Sequence, residues 1–574
     1  MKNNRLLTWV KTGKWTEQLD QRDESVSLLL SLVVGALVGL VVVCFILITG
    51  RLAARMYPPG GSAWLRVLVP TLGALVSGAL IARFFPDARG SGIPQAKYAL
   101  FIHDGYISFK TVIGKFFCCS LSLASGIALG REGPSVQIGS GLASVLGRKI
   151  GLRAPSVKAL IPVGSSAALA AAFNTPIAAV LFSLEEILGD MHAKVLGTIV
   201  ISSATSWMVL HLILGDEPLF HVPAYHLVNP AEFGVYAVLG LVGGLGSVAF
   251  VKLLLSIRLL FRRLPVSTVW LQPAAGGVAV GLLALAVPEV LGVGYDYVER
   301  VLGGDLALQT VALLAVLKIV GTATCYGTGN AGGIFGPTLF IGAMMGASVG
   351  AVAHHFFPLA TADPGAYALV GMGTAFAGII RTPFTSVIMI FELTRDYSII
   401  VPLMISNMIA YFISQKMQKE PIYDALARQE GVLLPDHSST REEPEHLMVG
   451  SVMRPCSAPF SPELDVDTAL VKMGELGVHQ WPVVENDMLI GLATERALRE
   501  IALETAPVVS ESLPADGIYP FVHVDNTVGQ VLERLGAEGV ELMPVVSRAN
   551  IHQLLGVITA VEAIKAYGIG KENG

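Results

Sequence analysis

Gly130-Arg131-Glu132-Gly133-Pro134 follows the uncharged stretch Cys118 to Leu129, and its reading decides how the rest of the chain is understood. A charged side chain at the centre of a bilayer costs about 2.5–3.5 kcal/mol even on the gentlest insertion scale. Glu132 therefore requires a partner, a proton or a water-filled cavity. The flanking glycines and proline suit a chain break followed by a new helix, whose free N–H groups and dipole favour an anion. A carboxylate at such a helix start can occupy an anion site as a tethered substitute, and protonation would release it. The competing reading is an ion pair with neighbouring Arg131.

Composition supports a membrane setting. Of 574 residues, 53% are hydrophobic and only 14% charged, against about 25% charged in ordinary soluble domains. The net charge of -5 argues against a general nucleic-acid binder. Ser27 to Thr49 carries no charge and exceeds the roughly 20 residues that cross a bilayer. It reads as a first span, being too long for the apolar core of a cleaved signal peptide. Further apolar stretches lie near 65–86, 111–129, 158–184, 195–214, 232–255, 269–293, 308–326, 333–358, 366–393 and 398–415. Glycine inside a helix costs about 0.8–1 kcal/mol relative to alanine, so 61 glycines point to close helix packing and to helices that begin and end within the membrane. Lys2, Arg5, Lys11, Lys14 and Arg22 favour a cytoplasmic N-terminus. Cys44, Cys118, Cys119, Cys325 and Cys456 show no metal-ligand spacing and read as packing residues. Beyond Gln415 the chain turns polar through 447, with Arg441-Glu442-Glu443-Pro444-Glu445 as a linker, and from 448 it has the pattern of a soluble α/β domain.

Two internal repeats are visible. Gly130-x-x-Gly133-Pro134 with Ile138-Gly139 returns 203 residues later as Gly333-x-x-Gly336-Pro337 with Ile341-Gly342, and Lys115 returns as Lys318 at the same spacing. Thr175-Pro176 through Glu185 returns 207 residues later as Thr382-Pro383 through Glu392. Duplicated halves with broken helices are a common transporter plan, with the substrate site between them. In the tail, Gly477-Val478 and Pro482-Val483-Val484 return 62 residues later as Gly539-Val540 and Pro544-Val545-Val546. Each tail copy reads as a helix, an apolar strand, and a strand running into a helix.

Other segments add candidate chemistry. Gly90-Ser91-Gly92-Ile93-Pro94 suits a turn into a helix start, with Ser91 as an additional hydroxyl donor. Gly333-Ile334-Phe335-Gly336-Pro337 is uncharged and can offer only backbone N–H groups and an apolar wall, which suits an anion that must also leave. Glu185-Glu186 either marks the emergence of a helix into water or supplies a proton entry point, and Tyr423 could aim a phenolic donor back into the membrane part.

In this order, GSGIP, GREGP, GGIFGP and the downstream tyrosine resemble the CLC family of chloride channels and chloride/proton antiporters over roughly residues 25–430. The resemblance implies an all-α polytopic membrane protein of two homologous inverted halves with about eighteen helices, paired as a homodimer in the lipid bilayer with one pathway per subunit. It implies that Ser91 and Tyr423 donate hydroxyl hydrogen bonds to chloride and that the backbone amides of Ile334 and Phe335 complete the site. Glu132 matches the external gating glutamate and Glu186 the inner proton-transfer glutamate of antiporters. Gln95 and Lys97 stand where many relatives carry acids, so electrostatics near the pore should differ. Retention of Ser91, GREGP and the tyrosine favours chloride over nitrate or fluoride.

The tail resembles a pair of CBS domains (cystathionine β-synthase type), often adenine-nucleotide binders. Thr559-x-x-Glu562 resembles the ribose contact of such pairs, whereas the first repeat has Thr494-x-x-Ala497 and lacks the acid. The expected organisation is a cytoplasmic segment (1–26), the membrane domain (27–430), a linker (431–447) and two CBS repeats (448–505 and 510–568), forming a cytosolic α/β domain. Chloride/proton exchange is the leading expectation, with chloride and protons as substrates, no required cofactor and an adenine nucleotide as a ligand of the tail. The alternatives are a passive chloride channel regulated by the tail and a nucleotide sensor on a membrane anchor. No nucleophile, metal cluster or cofactor loop suggests an enzyme. The expected setting is a bacterial inner membrane with both termini cytoplasmic.

Overall fold

The computed structural model describes residues 24–566 except 57–61, 192–194, 217, 224, 226, 305, 433, 435–446, 457, 503–505 and 515–518. Nearly all of the expected segment 1–26, most of the linker 431–447, and the last residues of both tail repeats lie outside the described residues. The chain divides into two units between Pro435 and Asp436.

The named elements among the described residues of the first unit are all helices. Its first half contains α1 (Glu24–Met56), α2 (Leu65–Phe84), α3 (Ile93–Phe101), α4 (Phe109–Ala124), α5 (Glu132–Lys149), α6 (Ala154–Phe173), α7 (Pro176–Phe182) and α8 (Leu196–Leu214). The second contains α9 (Glu232–Arg262), α10 (Gln272–Ala286), α11 (Tyr295–Leu302), α12 (Leu308–Gly327), α13 (Phe335–Phe356), α14 (Pro364–Ile379), α15 (Pro383–Thr394), α16 (Ile400–Met417) and α17 (Ile422–Gln429). Eight of the described helical segments are long and apolar enough to cross a membrane. The outer helices expose large apolar side chains such as Leu40, Met208, Leu212, Leu241 and Phe412, as a lipid-facing surface requires. By contrast, α5, α6, α13 and α14 are largely enclosed by protein.

Hydropathy reads 158–184 and 366–393 as continuous, yet both break at equivalent places. Asn174 (φ 61°) ends α6 and Arg381 (φ 68°) follows α14, and a Thr-Pro pair then opens α7 and α15 with proline in the first turn. Asn is tolerant of the left-handed region, but Arg is not. At Arg381 the cost is offset by its guanidinium, which donates to the carbonyls of Ser414 (2.9 Å), Gln418 and Lys419 (3.2 Å) at the end of α16.

The two short helices then cap one another. Glu392 accepts from the amides of Ile177 (2.9 Å) and Ala178 (2.7 Å), and Glu185 accepts from those of Phe384 (3.3 Å) and Thr385 (2.8 Å) and from the Thr385 hydroxyl (2.7 Å). Each carboxylate fills the orphan donors at the start of the opposite half's helix. Close crossings also recur between the halves. A Cβ on Gly139 would fall on the Gly164 carbonyl oxygen and one on Gly164 on that of Gly139, and the repeat equivalents Gly342 and Gly371 stand in the same relation. Small residues let α5 cross α6, and α13 cross α14, at backbone contact.

The second unit holds two modules and two core clusters, and the cluster of the first module also takes in Leu542 and Val557 from the second. The first consists of α18 (Val466–Leu476), β1 (Gln480–Glu485), β2 (Met488–Thr494) and α19 (Glu495–Ile501), with β1 and β2 antiparallel. The second consists of β3 (Val522–His523), α20 (Val528–Glu538), β4 (Leu542–Val546), β5 (Leu554–Thr559) and α21 (Ala560–Ala566). Its sheet order is β3-β4-β5, parallel then antiparallel. Val449 packs in the core of the second module, and Arg454 bridges to Val557. Residues 449–454, which precede the first module in sequence, thus join the second, whereas Phe460 pairs with Val483 of the first.

Gly371→Val should destabilise the first unit by about 1–3 kcal/mol through overpacking against α13. A lower thermal unfolding midpoint of the detergent-solubilised chain, with the second unit's secondary structure unchanged, checks this.

Candidate functional site

The two halves meet through their backbones. Gly130 N–H donates to the Gly333 carbonyl (2.7 Å) and Gly333 N–H donates to the Gly130 carbonyl (2.7 Å), an isolated antiparallel bridge. From this crossing α5 starts at Glu132 and α13 at Phe335. A Cβ on Gly133 would meet the Ser91 hydroxyl at 2.6 Å, so a glycine here lets the loop before α3 approach the start of α5. Tyr423 comes from the first turn of α17. Four helix starts thus gather around one place, each with N–H groups lacking intrahelical acceptors.

The side chains there fit an anion. The hydroxyls of Ser91 and Tyr423 are buried and close to one another, and among the described residues neither makes a well-formed hydrogen bond; Glu186, Tyr326 and Glu132 are further polar neighbours of the Tyr423 hydroxyl. Unpaired buried hydroxyls are costly and ask for a ligand that accepts. Ile334 and Phe335 stand at the start of α13, where the expected backbone donors lie. The Phe335 ring packs on Phe173 (5.0 Å), Phe182 (5.2 Å) and Phe376 (4.5 Å). This aromatic cluster fixes that turn and supplies the apolar wall.

Glu132 is fully buried. Its Oε2 accepts from the Gly336 amide at 3.2 Å, and its Oε1 accepts from the Tyr295 hydroxyl. The nearest Arg131 nitrogen stands 3.9 Å away, so the neighbouring-pair reading describes a weak contact beside two stronger ones. Tyr295 was not among the sequence candidates, because it stands two residues beyond the second-half counterpart of Ser91 and only its long reach brings it to the carboxylate.

Glu186 lies in a single π turn, Ser183–Leu188, that closes α7, an irregularity often found at functional sites. It does not emerge into water. Lys97 on α3 donates to Glu186 (2.9 Å) and to Asp424 on α17 (2.8 Å), and the Lys97 and Glu186 side chains are only 4% and 6% exposed. The altered electrostatics expected at Lys97 therefore take the form of one ammonium between two carboxylates. It ties Glu186 to α3, whose preceding loop carries Ser91, and to α17, which carries Tyr423. Glu185, its neighbour in sequence, is the cap described above.

In the second unit, the Thr559 amide and hydroxyl donate to Glu562 (both 2.8 Å), and the Glu562 amide donates back to the hydroxyl (3.2 Å). This is a capping arrangement at the start of α21. Arg454 lies 3.1 Å from the same carboxylate. Thr494 caps α19 through the Ala497 amide (3.2 Å) without an acid. Among the described residues no His, Cys, Asp and Glu cluster could hold a metal ion.

The model of the voltage-gated chloride channel family matches residues 72–415, the stretch that contains the crossing, Ser91, Glu132 and Glu186. The chain belongs to the voltage-gated chloride channel, or CLC, family. That family is one of transport proteins, and a CBS domain model matches residues 449–504. A ClcB-like candidate chloride channel protein of Ralstonia nicotianae is 34% identical over 64% of this chain and 86% of its own length. The H+/Cl- exchange transporter ClcA of Vibrio cholerae is 31% identical over 70% of this chain and 88% of its own. Among solved structures, a slow cyanobacterial Cl-/H+ antiporter superposes with a TM-score of 0.65 at 26% identity, covering 71% of this chain and 99% of the antiporter. A eukaryotic CLC transporter shares the fold over 93% of this chain and 97% of its own, with a TM-score of 0.61 at 19% identity.

Within this CLC architecture, removing one member of the Lys97 cluster leaves buried charge without compensation. Lys97→Met should cost about 3–5 kcal/mol, and Lys97→Met with Glu186→Gln less, because the second change removes the stranded carboxylate. Thermal unfolding of both variants measures the order.

Proposed function

We propose that this protein exchanges chloride for protons across a membrane, with Glu132 as the gate. The observation that carries the reading is the buried Glu132 carboxylate accepting from the first turn of α13. An anionic oxygen there stands where a permeant anion would find the same donors. Chloride, accepting from Ser91, Tyr423 and the amides of Ile334 and Phe335, occupies the place beside it. When Glu132 takes a proton it loses its hold on those donors and yields to chloride.

Glu186 is the inner proton station. Its pairing with Lys97 holds the carboxylate at the edge of the pathway, and its presence favours exchange over passive conduction. The names of the Vibrio relative and the cyanobacterial structure point the same way. In this reading the protein is a homodimer in a bacterial inner membrane, with both termini cytoplasmic and Glu132 toward the outer face. The tail is a cytosolic regulatory domain. An adenine nucleotide at Thr559 and Glu562 would have to compete with Arg454 for the carboxylate, and equilibrium binding of ATP to the full chain tests that ligand.

Vesicles containing the purified protein and given a chloride gradient should acquire a proton gradient, recorded together with chloride flux. Chloride movement without protons would sink exchange in favour of a channel. Glu132→Gln should keep chloride flux and lose proton movement, and Glu186→Gln should weaken proton movement more than chloride flux. Loss of the two hydroxyls in Ser91→Ala with Tyr423→Phe should weaken chloride binding by at least about tenfold, the scale of a hydrogen bond to a charged group. Calorimetric titration with chloride measures it.

A further inference from the structure

Two loops, one in each half, have the same build. In the first half a 3-10 turn, Pro86–Ala88, leads through Gly90 (φ 80°) and Gly92 (φ 109°) into α3. In the second half the 3-10 turn Pro288–Val290 leads through Gly292 (φ 62°) and Gly294 (φ 87°) into α11. A buried lysine fastens each loop. Lys115 donates to the carbonyls of Ala88 (3.0 Å) and Gly90 (2.6 Å), and Lys318 to those of Val290 (3.0 Å) and Gly292 (2.7 Å).

The correspondence makes Val293 the counterpart of Ser91 and Tyr295 the counterpart of Ile93. The second half therefore lacks a hydroxyl where the first half has one, yet a hydroxyl arrives at the equivalent place. A Cβ on Gly133 would meet the Ser91 hydroxyl at 2.6 Å, and a Cβ on its repeat partner Gly336 would meet the Tyr295 hydroxyl at 2.9 Å. Tyr295 starts two residues later and spans the difference with its ring. Packing holds that ring in place, with Phe220 edge-on at 5.4 Å and the Arg131 guanidinium 5.6 Å from its centroid.

We propose that Tyr295 is a positioning residue for the gate, a hydroxyl latch that holds the Glu132 carboxylate and sets how readily chloride displaces it. The proposal rests on the reading of Glu132 as the gate. Facing Glu132 are Arg131 on its own segment, Tyr295 from α11, the Gly336 amide from α13, Cys119 from α4 and Tyr423 from α17. Among the described residues, Tyr295 is the side chain that hydrogen-bonds to Glu132. A phenol O–H donates more strongly to a carboxylate than to a neutral acid, so it favours the closed, ionised gate.

The test uses the full chain in vesicles with the variants Tyr295→Phe, Glu132→Gln and the two combined. Tyr295→Phe keeps the ring and its contact with Phe220 and removes only the donor. The half-saturating chloride concentration on the face toward Glu132 should fall by about tenfold, with fewer protons carried per chloride. In the Glu132→Gln background the same change should alter half-saturation by less than about twofold, because a cycle registers coupling only while both partners are present. Chloride flux of the double variant equal to that of Glu132→Gln would show that the altered chain still folds. Half-saturation and proton ratio unchanged in Tyr295→Phe would overturn the latch, as would an equal effect in both backgrounds. If Glu132→Gln itself still carried protons, the gate reading would fail first, a result separable from failure of the latch alone.

Discussion

The reciprocal hydrogen bonds between Gly130 and Gly333 are the contact from which the membrane unit is organised. Away from water, an unpaired backbone N–H or C=O costs several kcal/mol, so a chain can break its helices at membrane depth only where the freed groups find one another. Here the breaks of the two halves do so directly. With those groups satisfied, α5 and α13 can begin side by side with their positive ends turned to a common place. Ser91 reaches that place only because Gly133 offers no side chain to block it.

The same economy governs the charges in the interior. Lys115 and Lys318 are fully buried and donate to loop carbonyls. They act as clasps on backbone geometry, with no acid in contact among the described residues. Lys97 does the reverse and is shared between two carboxylates, one of them next to Tyr423 in sequence. Glu132 is held by neutral donors, a phenol and an amide, with its arginine at a distance. A neutral clamp releases a carboxylate when it is protonated, whereas a direct ion pair in a dry site would hold it fast. On the proposed reading, the group that moves is held by neutral contacts, and the groups that stay are held by full charges or by fixed lysine clasps.

Much of this was legible in the residues. The GREGP and GGIFGP segments and their common spacing pointed to two related halves, and the tail repeat to two similar modules, whereas the hydrogen bonds between Gly130 and Gly333 emerged only with the fold. The helix breaks after α6 and α14 were invisible, because hydropathy registers how apolar a stretch is and carries no information on the sign of φ at Asn174 or Arg381. Read from the residues alone, the adjacent acids Glu185 and Glu186 were not told apart, and only the family resemblance singled out Glu186; the π turn that points one at a helix start and the other at Lys97 is a property of the fold. Tyr295 escaped for a related reason. It stands two positions away from where the repeat would place its hydroxyl, and ring length makes up the difference. In the second unit the pattern located Thr559 and Glu562, but the helix cap they form and the approach of Arg454 depend on the folded chain.

The exchange of caps between α7 and α15 bears on how such a molecule could arise. Each half carries an acid that its own helices do not use and a helix start that its own residues do not satisfy, and the other half supplies both. A half-length chain standing alone would leave the two needs open, whereas two identical copies facing opposite ways would meet both without any covalent join. The handshake is therefore the bond one would expect of an ancestral pair later fused into one gene. It also ties the descendants together, because drift at Glu185 or Glu392 is felt at a helix start some two hundred residues away along the chain.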